Sequence, residues 1–326
     1  MNESIPLWRK IQRQNFTRLE PLSDFLELSA ENRKKLLDKP RFPLNLPVRL
    51  AEKIKKNSLD DPLLRQFVPL QEELQSTPGF VADPVQDNQF KKSKKLLHKY
   101  NGRALLISTS ACAMHCRYCF RQNFPYETEE KGFDQELLLI RQDPSLQEII
   151  LSGGDPLSLS DVTLASLLRS LDEIPHLKRI RFHTRFPLGI PERIDLPFLD
   201  LLSSLSKQII FVIHCNHPAE LDADVIAALK QIQKRGILVL NQSVLSRGVN
   251  DDEKTLLSLS ESLINQGILP YYLHQLDPVQ GAGHFALPES RGAELIHYIQ
   301  ENLSGFGVPR LVREEPGQPS KTFLNT

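Results

Sequence analysis

Residues 103–122 read Arg-Ala-Leu-Leu-Ile-Ser-Thr-Ser-Ala-Cys-Ala-Met-His-Cys-Arg-Tyr-Cys-Phe-Arg-Gln. A short apolar run, Arg103–Thr109, has the length and composition of a buried strand, and it empties into a loop that holds Cys112, Cys116 and Cys119. Outward from this stretch the same rhythm repeats. Candidate strands follow at Glu148–Leu151, Arg179–His183, Gln208–His214, Ile237–Asn241 and Ile268–Leu273. Helical patterns fall near 134–142, 160–172, 192–205, 219–234, 251–266 and 288–303. Later strand starts recur about every 30 residues, the length of a βαβ unit. Six such units predict an α/β fold, a partial (β/α)6 TIM-like barrel with a parallel sheet wrapped by helices.

Residues 1–97 read as an N-terminal helical extension. Its helix-period apolar residues are interrupted repeatedly by proline, and no chemistry is visible in it. Residues 98–311 form the barrel and 312–326 a short C-terminal tail. The run Lys-Lys-Ser-Lys-Lys at 91–95 reads as a solvated helix face or linker. The chain has 326 residues, with 40 basic and 40 acidic side chains. That balance lacks the electrostatic footprint of a nucleic-acid binder. The start, MNESIPLWRKIQ, has no apolar signal core and no apolar run is long enough to span a bilayer, so the cytoplasm is expected and a membrane partner is not.

The segments just beyond the strands carry the functional signal. The strand ends lead into the cysteine loop, Ser152-Gly153-Gly154-Asp155-Pro156, His183-Thr184-Arg185, His214-Cys215-Asn216-His217, Asn241-Gln242-Ser243 and His274-Gln275-Leu276-Asp277. Barrels of this kind bear their active sites at the C-terminal ends of their strands. Three thiolates from one loop can wrap an iron–sulfur cubane and leave one iron open, since full protein ligation of a [4Fe–4S] centre takes four cysteines. A zinc site completed by His115 or by a distant residue, or a chance clustering, is the competing reading, although zinc sites usually pair their ligands as CxxC with a second pair elsewhere. Taken bare, Gly153-Gly154 is a turn, His214 is as consistent with a core histidine as with a ligand, and Lys321 is a solvated tail residue.

The cysteine spacing resembles the radical S-adenosylmethionine superfamily. At finer grain, HKYNGRALLISTSACAMHCRYCFRQNF, LSGGDPL, FHTRFPLGIPERI, HCNHPAEL, NQSVLSRGVND, GHFALP and the tail PGQPSKT resemble the lysine 2,3-aminomutase family. The resemblance implies a [4Fe–4S] cluster on Cys112, Cys116 and Cys119 that cleaves S-adenosylmethionine to an adenosyl radical. It also implies pyridoxal phosphate held as a Schiff base by Lys321 on a tail folded over the barrel mouth. Gly153, Gly154, Asp155, His214 and Gln242 match the S-adenosylmethionine pocket. Lys99, Tyr100 and Arg103 match the residues around the pyridoxal phosphate group, with lysine where the family has arginine at position 99, a point charge in place of a planar fork. Arg121 is placed on the substrate α-carboxylate. Asp277 and Glu314 match the acidic pair for the ε-ammonium, with glutamate at 314 where longer members have aspartate.

The implied activity is an isomerase converting L-lysine to β-lysine in the R form. This compact chain is most similar to the bacterial branch whose product a partner ligase attaches to elongation factor P, and a reducing electron donor is required. Two other readings stand at this level: a sibling aminomutase acting on another amino acid, and a non-catalytic iron–sulfur or zinc-binding regulator.

Overall fold

A computed structural model describes residues 5–127 and 132–324. Residues 1–4, 128–131 and 325–326, which include the first residues of the N-terminal stretch and the end of the tail, lie outside it. Nine strands form one sheet in chain order: β1 (Leu96–Tyr100), β2 (Arg103–Thr109), β3 (Glu148–Gly153), β4 (Arg179–Thr184), β5 (Gln208–Ile213), β6 (Leu238–Val244), β7 (Leu269–His274), β8 (Arg310–Arg313) and β9 (Thr322–Phe323). Strands β2 to β8 are parallel, while β1 and β9 run antiparallel at the two ends. The six predicted β/α units are present. β8 adds a seventh parallel strand, and the outer pair was not legible because β1 alternates poorly and β9 has only two residues.

Four of the barrel's helices begin where a short polar side chain satisfies free backbone N–H groups. Ser160, Asp195, Asp222 and Asp252 accept from the backbone nitrogens of Thr163, Phe198, Val225 and Thr255. The helix Asp161–Asp172 then turns Leu164, Leu167, Leu168 and Leu171 onto the sheet. Helices 223–233, 253–265 and 289–302 do the same with their own apolar faces.

The N-terminal extension consists of short helices, Leu7–Gln12, Leu19–Phe25, Ala30–Arg33, Val48–Glu52 and Pro62–Phe67. Prolines 6, 40, 43 and 47 keep it from becoming one long helix. It has no core of its own: Trp8, Leu26, Leu46, Leu50, Leu64 and Phe67 belong to the same buried cluster as the barrel's Phe182, Phe186 and Phe211. Trp8 packs edge-on against Phe186 and lies under the buried guanidinium of Arg193. The boundary expected at residue 97 falls inside β1, and that expected at 311 falls inside β8. The tail is therefore attached to the sheet through the pairing of β9 with β8.

Candidate active site

All fifteen residues singled out from the sequence line one cavity of about 720 Å³ inside the barrel. The cavity opens at the strands' C-terminal ends and extends inward past His183 and Arg181 to Glu148. Its depth follows from strand alternation: Arg179, Arg181 and His183 of β4 face inward while Ile180 and Phe182 are buried behind them.

The cysteine loop is held from outside by the N-terminal extension, the part of the chain in which no chemistry was legible. Asn15 Nδ2 donates to the Ala113 carbonyl at 2.7 Å, and Asn45 Nδ2 donates to that of Cys112 at 3.1 Å. The Arg117 guanidinium forms a two-pronged ion pair with Glu73, at 2.7 and 2.5 Å. The His115 ring stacks on Phe42 and meets the Pro43 carbonyl, so it is tied to the extension. The three cysteines line the cavity, and all three are free.

Burial pushes the Cys112 thiol well above its ordinary value and that of Cys119 up to about 11. Thiolates there need a bound cation to exist, as metal-bound cysteines do. Among the described residues no three histidine, cysteine or carboxylate side chains converge closely enough to grip one metal ion. A cubane takes each thiolate on a different iron, so the free loop cysteines fit a cluster better than the zinc alternative.

Gly153 and Gly154 do their work against the same loop. Gly153 has φ of +115°, and a Cβ on Gly154 would stand 2.3 Å from the Ala111 carbonyl oxygen. Without side chains the end of β3 tucks under the loop, where Gly154 N donates to Thr109 O at 2.6 Å and Asp155 N to Ala111 O at 2.8 Å. The Tyr126 hydroxyl donates to Gly153 O at 2.9 Å. Asp155, expected to face a cofactor, spends its carboxylate on Thr184 Oγ1 and the backbone N–H groups of Leu157, Arg185 and Phe186. It acts as a brace between β3 and β4.

Deeper in, His214 and Gln242 meet at 2.9 Å. Burial, then the nearby cations Arg185, Arg121 and Lys321, lower His214 to about 3, so its ring is neutral. Gln242 Oε1, His183 Nε2 and His274 Nε2 are buried without partners among the described residues. Unpaired buried polar atoms aimed into a cavity this large fit a polar guest such as S-adenosylmethionine or pyridoxal phosphate. The two histidines sat at strand ends in the sequence, but their alignment into one cavity was not readable there.

At the seam between first and last strands, Glu314 collects three donors: Lys321 Nζ at 2.7 Å, Lys99 Nζ at 2.6 Å and the Tyr100 hydroxyl at 2.5 Å. A tilted barrel shifts its register steadily from strand to strand, which brings the end of β8 round to the start of β2. Lys99 thus faces a carboxylate, and Arg103 is the guanidinium left without a carboxylate partner among the described residues, lying over the Tyr100 ring. Asp277 has no ion pair among the described residues, and burial raises it to about 7. Arg121 is buried and donates to Asp87 at 2.8 Å, an acid of the extension that sequence reasoning missed.

Residues 101–188 match the model of a 4Fe-4S single cluster domain. A radical SAM methyltransferase from Sphaerobacter thermophilus has the same fold in outline, with a TM-score of 0.51 at 18% identity over 67% of this chain and 68% of that one. The L-lysine 2,3-aminomutase of Escherichia coli K12 is 41% identical over 301 residues, 91% of this chain and 86% of its own. That of Haemophilus influenzae is 41% identical over 86% of this chain and 84% of its own. That of Clostridium subterminale is 31% identical over 97% and 77%. With relatives this similar over nearly their whole length, and the cysteine loop and tail lysine in one cavity, the chain belongs to the L-lysine 2,3-aminomutase family.

Proposed function

We propose that this chain is an isomerase that moves the amino group of L-lysine from carbon 2 to carbon 3, with a [4Fe–4S] cluster, S-adenosylmethionine and pyridoxal phosphate as cofactors. The reading is carried by one observation: three free cysteines, a tail lysine and an acid without an ion pair among the described residues share a cavity in a chain 41% identical to a curated L-lysine 2,3-aminomutase. When bound, the cluster and S-adenosylmethionine supply radical chemistry and pyridoxal phosphate supplies an electron sink.

In this reading Cys112, Cys116 and Cys119 hold the cluster. The backbone at Gly153–Asp155, with His214 and Gln242, takes S-adenosylmethionine, and Lys321 carries pyridoxal phosphate. Arg103 is the best-supported phosphate ligand, because its guanidinium has no carboxylate partner among the described residues, whereas Lys99 and Tyr100 also serve Glu314. Arg121, oriented by Asp87, presents its remaining donors to the α-carboxylate. Asp277 accepts the ε-ammonium, because an isolated buried carboxylate is stabilised by the cation that pairs with it. Glu314 is the second acid, free for substrate once Lys321 no longer carries an ammonium. The β-lysine would be the R form, used by a ligase acting on elongation factor P in the cytoplasm, with a reducing donor feeding the cluster. These finer assignments are supported by the motif resemblance and the relatives. No helix of the described residues is long and apolar enough to cross a membrane.

The test is an anaerobic, reduced assay of reconstituted protein with S-adenosylmethionine, pyridoxal phosphate and L-lysine, following 5′-deoxyadenosine and β-lysine, with Lys321→Ala alongside. β-Lysine from the parent and none from the variant is the expected result. Deoxyadenosine without β-lysine would reassign the substrate to another amino acid, and neither product from cluster-loaded protein would leave the non-catalytic reading.

A further inference from the structure

Cys116 differs from its two neighbours in what faces its sulfur. Arg185, just beyond β4, donates Nη1–H to Cys116 Sγ at 3.1 Å. The Tyr118 hydroxyl touches the same guanidinium. Among the described residues no side-chain donor meets the sulfur of Cys112 or Cys119.

The arrangement behind Arg185 is costly. Its Nη2 is gripped by Gln66 Oε1 and Glu220 Oε2, each at 2.6 Å, with Glu220 wholly buried. Glu220 also accepts from the backbone N–H groups of Asn216 and His217 at 3.0 Å each. The Phe67 ring lies 4.7 Å below the guanidinium. Buried ion pairs seldom add net stability over an apolar replacement. What this one achieves is orientation: one edge of the fork is fixed, so the other edge points at a single cysteine. Two of the residues that fix it, Gln66 and Phe67, come from the N-terminal extension.

An electron added to an iron–sulfur cluster increases the negative charge on its sulfurs, and hydrogen bonds to those sulfurs favour the reduced form. We propose that Arg185 raises the reduction potential of the cluster by donating to the Cys116 sulfur, with Gln66 and Glu220 acting as positioning residues for the guanidinium. The inference rests on the cysteine loop holding the cluster. It gives the N-terminal extension a share in setting how readily the enzyme accepts its electron.

The test is a potentiometric titration of the reconstituted full chain, read by the electron paramagnetic resonance of the reduced cluster, with iron and sulfide content measured for each protein. Arg185→Lys takes the planar donor away from the sulfur, and its midpoint potential moves negative. Glu220→Gln removes the counter-charge and moves it positive, a sign that loss of packing alone does not produce. Midpoints equal to the parent's in iron-replete Arg185→Lys and Glu220→Gln overturn the proposal. Should Arg185→Lys fail to load iron, Glu220→Gln decides by itself. A parent without an iron–sulfur spectrum sinks the cluster assignment, and this inference with it.

Discussion

Glu314 Oε2 lies 2.7 Å from Lys321 Nζ, seven residues along the same tail, while its other oxygen serves Lys99 and Tyr100. One carboxylate thus ties the tail to β1 at the opposite edge of the sheet.

Burial would raise Glu314, but the ammonium groups of Lys321 and Lys99 outweigh it and hold the carboxyl at about 2. A depressed carboxyl contributes stability that is present above its unfolded value near 4.5 and lost as pH falls toward 2. The tail is therefore expected to stay docked at pH 5 and to become protease-sensitive only below about pH 4, as limited proteolysis would read. Glu314→Gln should cost about 3 kcal/mol, the lower end for a buried pair losing one partner, since Lys321 is a quarter exposed. An unchanged melting temperature would contradict this.

Asp277 is the opposite case. Burial, only partly offset by Lys321, raises it to about 7. A carboxyl raised in the folded state destabilises the fold as pH rises from its unfolded value near 4 through 7. Asp277→Asn should accordingly melt higher than the parent at pH 8 and the same at pH 3.5, while losing about 3–5 kcal/mol of lysine binding. In the parent, lysine affinity should fall up to tenfold per pH unit below about 7, because the ammonium needs the ionised acid. Calorimetry across pH 3.5–8 checks both.

Gly154→Ala places a methyl carbon against the Ala111 carbonyl, and backbone on both sides prevents relief. The expected outcome is a displaced cysteine loop, with stability lowered by about 3 kcal/mol or more and iron uptake lost. Normal iron content after reconstitution would show that the loop does not depend on this close approach.

Asn15 and Asn45 hydrogen-bond each other at 2.7 Å and hold the carbonyls of Ala113 and Cys112. Replacing either by alanine should cost about 1–2 kcal/mol. Because the lost bonds lie on the cysteine loop, the double variant should lose its cluster faster in air than the parent. An equal bleaching rate of the cluster's visible absorbance, which arises from its cysteine-ligated iron, would separate the extension from the cluster.

The barrel was legible because its units are local. Each strand of five to seven residues and each capped helix is specified by nearest-neighbour patterning, and all six predicted helices coincide with observed ones to within a few residues. The cysteine loop was legible because its three cysteines sit within eight residues of one another. The role of residues 5–95 was not, since Asn15, Asn45, Gln66, Glu73 and Asp87 are ordinary polar residues until the fold carries them to the loop and to Arg121.

The sequence by itself determined the repeating β/α order, the spacing of the three thiols and fifteen of the residues that share the cavity. Only the tertiary structure decided that Lys99 faces Glu314, that Asp155 braces two strands, that Asp277 has no ion pair among the described residues and that Arg185 points at Cys116. Those outcomes depend on barrel tilt and on desolvation. Both are set by residues far apart in the chain, and no local pattern encodes either.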